Sequence, residues 1–147
     1  MYRGYYDSPI KILEILATDE NIILIDFVDK KEKENSNKLI EKCKSELQEY
    51  FDKKRKKFSF SFDLNGTEFQ KSVWKYLLTI PYGKVTTYKE VAKNIGNEKG
   101  VRAVANAIGA NKLVIFIPCH RVIGSNGTLT GFRGGLDKKE YLLNLEE

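Results

Sequence analysis

The sequence predicts an α/β fold: a small α/β N-terminal domain followed by a mostly helical C-terminal domain with a helix-turn-helix (winged-helix-like). Three observations carry this prediction. The first part of the chain contains several strand-like runs of β-branched and apolar residues. One long amphipathic helical period follows them, and several short helical periods fill the remainder. The 147 residues, 41% of them apolar, are enough for one compact domain or two small ones.

The N-terminal part contains strand and helix patterns in succession. Two apolar runs, Pro9 to Ala17 and Asn21 to Val28, are separated by three polar residues and predict a β-hairpin. A helical period then covers Ser36 to Phe51, and Ser36 is a suitable N-cap. The alternation of aromatic and polar residues from Phe58 to Leu64 predicts a further strand.

The predicted boundary between the two domains lies near a run of basic residues. The run from Lys53 to Lys57 separates a helical pattern from a strand pattern, so we interpret it as a solvated linker. We expect the N-terminal domain, with this linker, over residues 1–64 and the C-terminal domain over residues 65–147. Cys43 lies on the apolar stripe of the predicted long helix and is expected in the core.

Short helices with recognisable caps follow in the C-terminal part. Thr67 and Gln70 form a capping-box pattern that opens the first helix, and Thr87 opens the second. The third helix is predicted over Val101 to Ala110, and a last helix begins with Asp137 as its N-cap. Two successive short helices joined by a glycine-bounded turn predict a helix-turn-helix, although such pairs also occur in structural bundles.

Charge and composition favour a nucleic-acid partner and exclude other classes. The formal net charge is +5 and the isoelectric point is about 9.1, which is compatible with DNA binding but does not establish it. No apolar run approaches the roughly 20 residues that span a bilayer, so we expect no membrane insertion and a cytoplasmic protein. One histidine and two cysteines cannot supply four soft ligands, so no metal is expected. Free thiols in a reducing compartment are favoured, with a single disulfide as the alternative.

The only histidine of the chain, His120, directly follows one of the two cysteines, Cys119. A cysteine thiol reacts as its thiolate, which needs a nearby positive charge or a hydrogen-bonded base. His120 and Arg121 are the local sources of both. Pro118 makes a regular strand unsuitable here, so a turn after the apolar run 113–117 is expected to present Cys119. On residue types alone, Cys119 is equally well a reactive thiol or a small buried hydrophobe.

The run Pro118-Cys119-His120-Arg121-Val122 resembles the active-site signature of the O6-alkylguanine-DNA alkyltransferases. The resemblance extends from about Thr67 to Glu146. It implies DNA repair by direct, irreversible, single-turnover transfer of an alkyl group from O6-alkylguanine to Cys119, with O4-alkylthymine as a further candidate substrate. It implies no cofactor, and as partner a double-stranded DNA that a monomer contacts in the minor groove while flipping the damaged base.

The resemblance also implies roles for residues around the cysteine. His120 takes the thiol proton through a water molecule, and Glu146 orients His120. Asn111 is the hinge between the helix-turn-helix and the cysteine segment, and Tyr88 donates to the guanine and helps to turn out the nucleotide. The residues alone leave other interpretations open: a helix C-cap for Asn111, a core aromatic for Tyr88 and a frayed terminus for Glu146.

The DNA-binding surface and the pocket follow from the same resemblance. Arg102 takes the place of the flipped nucleotide in the base stack. The small side chains of the third helix leave room for the minor groove to approach, and they belong to Ala103, Asn106 and Ala107. The walls of the alkyl pocket are assigned to Pro118, Phe132 and Arg133, and Arg133 stands where some members of the family carry serine.

Two alternatives come from other functional classes. The first is a non-catalytic protein that binds alkylated DNA on the same scaffold, as alkyltransferase-like proteins do; the retained Cys119 argues against it. The second is a Cys-His hydrolase with a small substrate, which would turn over repeatedly and would need an oxyanion hole. Such a hydrolase has no use for the Arg102 helix.

Overall fold

The computed structural model describes residues 1–129, 131–132 and 134–147. The chain forms two compact units. Unit 1 contains Met1–Asn65 together with Lys112–Val114, and unit 2 contains Gly66–Asn111 together with Ile115–Glu147. In the part of the chain that the structure describes, no helix is long and apolar enough to cross a membrane.

Unit 1 is a three-stranded antiparallel sheet with one helix packed on it. The strands β1 (Tyr2–Asp7), β2 (Ile12–Ala17) and β3 (Ile22–Val28) are paired in chain order, and α1 (Lys38–Phe51) contacts all three. Alternate residues of β2 point into the core, which fits the period of two of a sheet with one covered face. The predicted hairpin is therefore confirmed in β2 and β3, and the predicted core position of Cys43 is confirmed by its complete burial.

One predicted strand of unit 1 is wrong, and one strand was missed. Phe58 to Leu64 is not a strand: Phe62 makes a single bridge with Ile22, and the rest is irregular. Its alternating aromatic residues pack against one another and the end of α1 rather than forming a sheet ladder. The missed strand is β1, whose tyrosine-rich and charged sequence lacks the β-branched residues that mark a strand.

The start of α1 and the basic run also differ from expectation. The N-cap of α1 is Asn37, whose side chain accepts a hydrogen bond from the Ile40 amide, and not Ser36 one residue earlier. Both residues are good caps, so the sequence pattern does not separate them. Within the basic run, Arg55 is not fully solvated: its guanidinium lies 3.6 Å from the carboxylate of Glu46, which is buried, and 3.1 Å from the carboxylate of Glu49, which is not.

Unit 2 consists of short helices and one small parallel pair of strands. The helices are α2 (Glu68–Leu77), α3 (Tyr88–Asn94), α4 (Val101–Gly109) and α5 (Leu136–Leu145). The strands β4 (Thr86–Thr87) and β5 (Val122–Ile123) pair with each other. Helices α3 and α4 are joined by a glycine-containing turn and contact each other, as the predicted helix-turn-helix requires. The predicted fold class, a small α/β part before a mostly helical part, is confirmed.

The helix caps of unit 2 confirm two predictions and correct a third. Thr67 and Gln70 form the complete capping box of α2, and the Thr87 side chain caps α3 through the Glu90 amide. The N-cap of α5 is Gly135 instead of the predicted Asp137. Asp137 lies in the first turn of α5, where a carboxylate interacts favourably with the positive end of the helix dipole.

Candidate active site

A tight turn brings the Cys-His-Arg sequence into the interior of unit 2. The chain reverses at Ile115, which has a φ of 72°, a left-handed conformation that is rare for a β-branched residue. Cys119–Arg121 then form a single 3-10 turn, and all three side chains are buried. Because this turn is not a strand, consecutive side chains do not alternate between two faces. The expectation that a turn presents Cys119 is therefore correct.

Cys119 is held at the end of α4 by an asparagine. The Asn111 side-chain amide donates to the Cys119 sulfur at 3.1 Å and to the Ile117 carbonyl at 2.9 Å. Asn111 is completely buried, and the C-cap of α4 is Ala110, so the alternative of Asn111 as a helix cap is wrong. A hydrogen bond from a neutral amide stabilises a thiolate over a thiol.

His120 is paired with the carboxylate of Glu146. Its Nε2 lies 2.7 Å from Glu146 Oε2, and its side chain is fully buried. Burial lowers the pKa of His120 below the usual 6.5, and Arg121 and Lys139 lower it further, while Glu146 opposes this lowering. A neutral ring that donates through Nε2 leaves Nδ1 as the basic nitrogen. Nδ1 is buried and has no hydrogen-bond partner among the described residues.

Glu146 is firmly placed although it lies one residue from the end of the chain. Only 4% of it is exposed, and the amide of Gly83 donates to its Oε1 at 3.2 Å. The hydroxyl of Tyr82 donates to the neighbouring Leu145 carbonyl at 3.3 Å. Gly83 has a φ of 78°, and a Cβ there would lie 3.0 Å from the Glu146 carbonyl oxygen, so only glycine fits. Glu146 is therefore not a frayed terminus.

Arg121 forms a bidentate ion pair with Glu146. Its Nε donates to Oε1 at 2.8 Å and its Nη2 to Oε2 at 3.1 Å, while Nη1 donates to the Ile80 carbonyl at 2.6 Å. The sequence indicated Arg121 as a local source of positive charge for the thiol. In the structure, Arg121 instead holds the carboxylate of Glu146, which contacts His120.

Lys139 is a buried lysine that sequence reasoning missed. Its Nζ lies 3.5 Å from the Tyr88 hydroxyl, 3.3 Å from the Gly131 carbonyl and 5.6 Å from the centre of the Tyr88 ring. Burial lowers the pKa of Lys139 to about 8, and the negative charge of the Cys119 thiolate opposes this lowering. The signal in the sequence was its spacing: Lys139 stands three and seven residues before Leu142 and Glu146, on the buried side of α5.

A pocket of about 440 Å³ opens beside the cysteine. This volume lies within the range of ordinary ligand sites. Three residues that the sequence assigned to the site, besides Cys119 itself, line it together: Tyr88, Asn106 and Phe132. The remaining lining residues come from α4 and the loop after β5, and they are Ala105, Ile108, Gly109 and Gly131. Pro118 is buried directly before Cys119, whereas Arg133 lies outside the described residues.

The outer face of α4 carries most of the residues expected to contact DNA. Arg102, Ala103 and Asn106 are exposed. Ala107 is not: it is 3% exposed, and its carbonyl accepts a hydrogen bond from the indole nitrogen of Trp74 at 2.8 Å. The assignment of Ala107 to the exposed face is therefore wrong. A small side chain there lets α4 pack closely on α2, which explains the alanine without any contact to DNA.

A helix-turn-helix beside a pocket, with a buried cysteine, histidine and glutamate at its wall, defines the class of the protein: a DNA-binding protein with a cysteine equipped for nucleophilic chemistry. The family models agree for both parts of the chain. Residues 68–147 match the DNA binding domain of 6-O-methylguanine DNA methyltransferase. Residues 1–64 match its ribonuclease-like domain.

Individual relatives agree with the family models. A protein from Methanosarcina acetivorans named methylated-DNA–protein-cysteine methyltransferase is 42% identical, over 99% of this chain and 98% of its own. The crystal structure of Mycobacterium tuberculosis OGT in complex with DNA has a TM-score of 0.92 and 37% identity, over 99% of this chain and 92% of its own. That of S. pombe Atl1 with damaged DNA containing O6-carboxymethylguanine has a TM-score of 0.50 and 33% identity, over 56% and 78%.

The chain therefore belongs to the O6-alkylguanine-DNA alkyltransferase family. Its activity is DNA repair by direct transfer, in which an alkyl group moves from O6-alkylguanine in DNA to a cysteine of the protein. The resemblance that the Pro-Cys-His-Arg-Val sequence indicated is confirmed, as are the predicted activity and DNA as the partner.

Proposed function

We propose that Cys119 is the cysteine that accepts the alkyl group and that His120 and Glu146 activate it. The observation that carries this proposal is the buried chain of contacts from Glu146 to His120, beside a cysteine that lines a pocket. The other cysteine, Cys43, is buried in the core of unit 1, and burial raises its pKa well above the usual range. Cys43 is therefore a poor nucleophile.

The proton path follows from the histidine tautomer. With Nε2–H donating to Glu146, the free lone pair of Nδ1 takes the thiol proton through one bridging water molecule. Because the pKa of His120 is lowered, its ring is neutral near pH 7 and able to accept that proton. The nearby charge of Lys139 and the amide of Asn111 then favour the thiolate.

The transfer itself is a direct displacement. The Cys119 sulfur attacks the alkyl carbon, the bond between that carbon and O6 breaks, and its electron pair stays on the guanine. The guanine then takes up a proton, and we assign its donation to the Tyr88 hydroxyl, which lines the pocket. Lys139, 3.5 Å from that hydroxyl, stabilises the tyrosine as its proton is given up.

The damaged base reaches the pocket by leaving the duplex. An alkyl group on guanine O6 is inaccessible inside a base stack, so the nucleotide must be extruded at a cost of a few kcal/mol. We assign the minor-groove contact to the exposed face of α4, where Arg102 fills the gap in the stack. One monomer binds one lesion, and the repair takes place in the cytoplasm.

The product limits each molecule to a single reaction. The alkylated Cys119 is a thioether, and the only other cysteine of the chain, Cys43, is buried in the core of unit 1. No cofactor is required, because the alkyl group comes from the DNA itself. O4-alkylthymine is a second candidate substrate because its alkyl group has the same chemistry.

Intact mass after incubation with a duplex containing O6-methylguanine tests the proposal. We expect the mass of one methyl group per protein, located on Cys119 by peptide mapping, with restored guanine in the DNA. Cys119→Ser removes the acceptor, and Cys43→Ser is the matched control that must still react. Tight binding without a mass change would indicate a damage-binding protein, and repeated turnover on a small ester would indicate the hydrolase.

A further inference from the structure

Arg121 makes a two-pronged contact that encloses one carboxylate. Nε and Nη2 donate to the two oxygens of Glu146 at 2.8 and 3.1 Å, and Nη1 donates to the Ile80 carbonyl. The guanidinium carbon also lies 5.8 Å from the centre of the Tyr82 ring. Planar bidentate pairing of this kind fixes both the position and the orientation of a carboxylate.

Four hydrogen bonds among those that Glu146 makes hold its carboxylate in one orientation. Oε1 accepts from Arg121 and from the Gly83 amide, while Oε2 accepts from Arg121 and faces His120 Nε2 at 2.7 Å. A carboxylate with this many donors is ionised and cannot rotate without breaking hydrogen bonds. The negative charge of Glu146 therefore interacts with Arg121 as well as with His120.

We propose that Arg121 is a positioning residue that acts through Glu146: it fixes that carboxylate on His120 Nε2 and prevents it from turning His120 into a stable imidazolium. This inference rests on the proposed role of His120 as the base. An isolated buried Glu-His pair attracts a proton strongly, and a protonated ring cannot accept the thiol proton. Arg121 supplies the compensating charge.

Among the described residues, three charged groups act on the pKa of His120. Glu146 at the end of α5 favours its protonated form, whereas Arg121 from the same 3-10 turn and Lys139 from α5 oppose it. Removing Arg121 should therefore raise the pKa of His120 for two reasons. The ring loses a repelling charge, and Glu146 loses the partner that shares its negative charge.

The single histidine of the chain makes a direct test available. NMR titration of the labelled imidazole, without DNA, should show the pKa of His120 moving upward in Arg121→Met and remaining close to the parent in Arg121→Lys. The matched control is Arg55→Met, which breaks the contact with the buried Glu46 in unit 1. It should leave the His120 titration unchanged. An unshifted His120 in folded Arg121→Met would overturn the inference.

Alkyl transfer provides the second readout. The acid limb of the rate profile should move to higher pH in Arg121→Met, with a loss of about tenfold near pH 6.5, less than general-base catalysis as a whole contributes. A merely structural role would lower the rate by the same factor at every pH. If the parent protein transfers no alkyl group, the proposed function fails, whereas the histidine titration still tests Arg121.

A further variant covers the case in which Arg121→Met does not fold because the buried Glu146 loses the charge of Arg121. Arg121→Met combined with Glu146→Gln removes both charges and restores a neutral interior. In the Glu146→Gln background, Arg121→Met should leave the rate close to that of Glu146→Gln alone, because most of its effect passes through Glu146. A further large loss of rate in the double variant would contradict the inference.

Discussion

At the scale of single residues, Lys139 gives the site a response to alkaline pH. A lysine buried beside a thiol stabilises the thiolate only while it is charged, and burial lowers the pKa of Lys139 to about 8. Its ammonium group also donates to the Gly131 carbonyl and the Tyr88 hydroxyl, both of which belong to the pocket. Loss of the proton therefore weakens three contacts of the site together.

We predict that Lys139→Met transfers the alkyl group more slowly than the parent protein below pH 8. The rate of the parent should decline near pH 8 as Lys139 loses its proton, and the rate of Lys139→Met should not.

Stability provides an independent check. Between about pH 8 and the ordinary 10.5 the unfolded chain binds the Lys139 proton and the native protein does not, so the free energy of unfolding rises with pH there. Lys139→Met should abolish this rise, measured by urea unfolding. Lys138→Met, which removes a lysine paired with exposed Asp137, should retain it.

The residues of the site could be predicted where they belong to a short sequence motif. They could not be predicted where the fold brings together residues that are distant in the chain. Cys119 and His120 are identified by their adjacency, and Asn111, Tyr88 and Glu146 by resemblance. The pairing of Arg121 with Glu146 joins residues that are 25 positions apart, and nothing in the local sequence of either specifies the other.

At the scale of elements, local chemistry decided which predictions succeeded. Helices α2 and α3 begin where Thr67 and Thr87 cap them, because capping depends on a few neighbouring residues. Strands depend on partners that are distant in the chain. The aromatic alternation of Phe58 to Leu64 has a strand period but meets β3 at a single bridge, whereas β1 has a partner strand but no strand period.

The exposed face of α4 carries the prediction for DNA. Arg102→Ala should slow transfer from O6-methylguanine in a duplex by about 10- to 100-fold, since unstacking a base costs a few kcal/mol and about 1.4 kcal/mol is tenfold. Transfer from the free base O6-methylguanine should be unchanged, because that substrate needs no extrusion. Rates are measured by loss of free Cys119 in peptide maps.

The control for this substitution is Lys99→Ala. Lys99 is an exposed basic residue in the turn before α4, and Lys99→Ala removes one positive charge, as Arg102→Ala does. We expect only a modest weakening of DNA binding, which disappears at high salt. Equal losses for Arg102→Ala on duplex and on free base would place its effect on the chemistry instead of on base extrusion.

At the scale of the whole molecule, the chain passes from unit 2 to unit 1 and back again between Asn111 and Ile115. Residues Lys112–Val114 belong to unit 1, where the Ile25 amide donates to the Lys112 carbonyl at 2.9 Å and the Val114 amide donates to the Ile25 carbonyl at 3.0 Å. Asn111 directly precedes these three residues, and the turn at Ile115 follows them. The three residues between Asn111 and Ile115 are therefore held by the sheet of unit 1.

This anchoring predicts a functional effect of a substitution in the core of unit 1. Leu113→Ala removes a side chain that is 1% exposed, and we expect it to lower the free energy of unfolding by about 2 to 5 kcal/mol. Leu13→Ala, on β2 of the same unit, removes an equally buried leucine and should cost a similar amount. Under conditions in which both variants are folded, only Leu113→Ala should slow alkyl transfer, because only Leu113 holds the chain between Asn111 and Ile115. Equal transfer rates for the two variants would mean that unit 1 supports the folded state alone and has no part in placing Asn111 against the Cys119 sulfur.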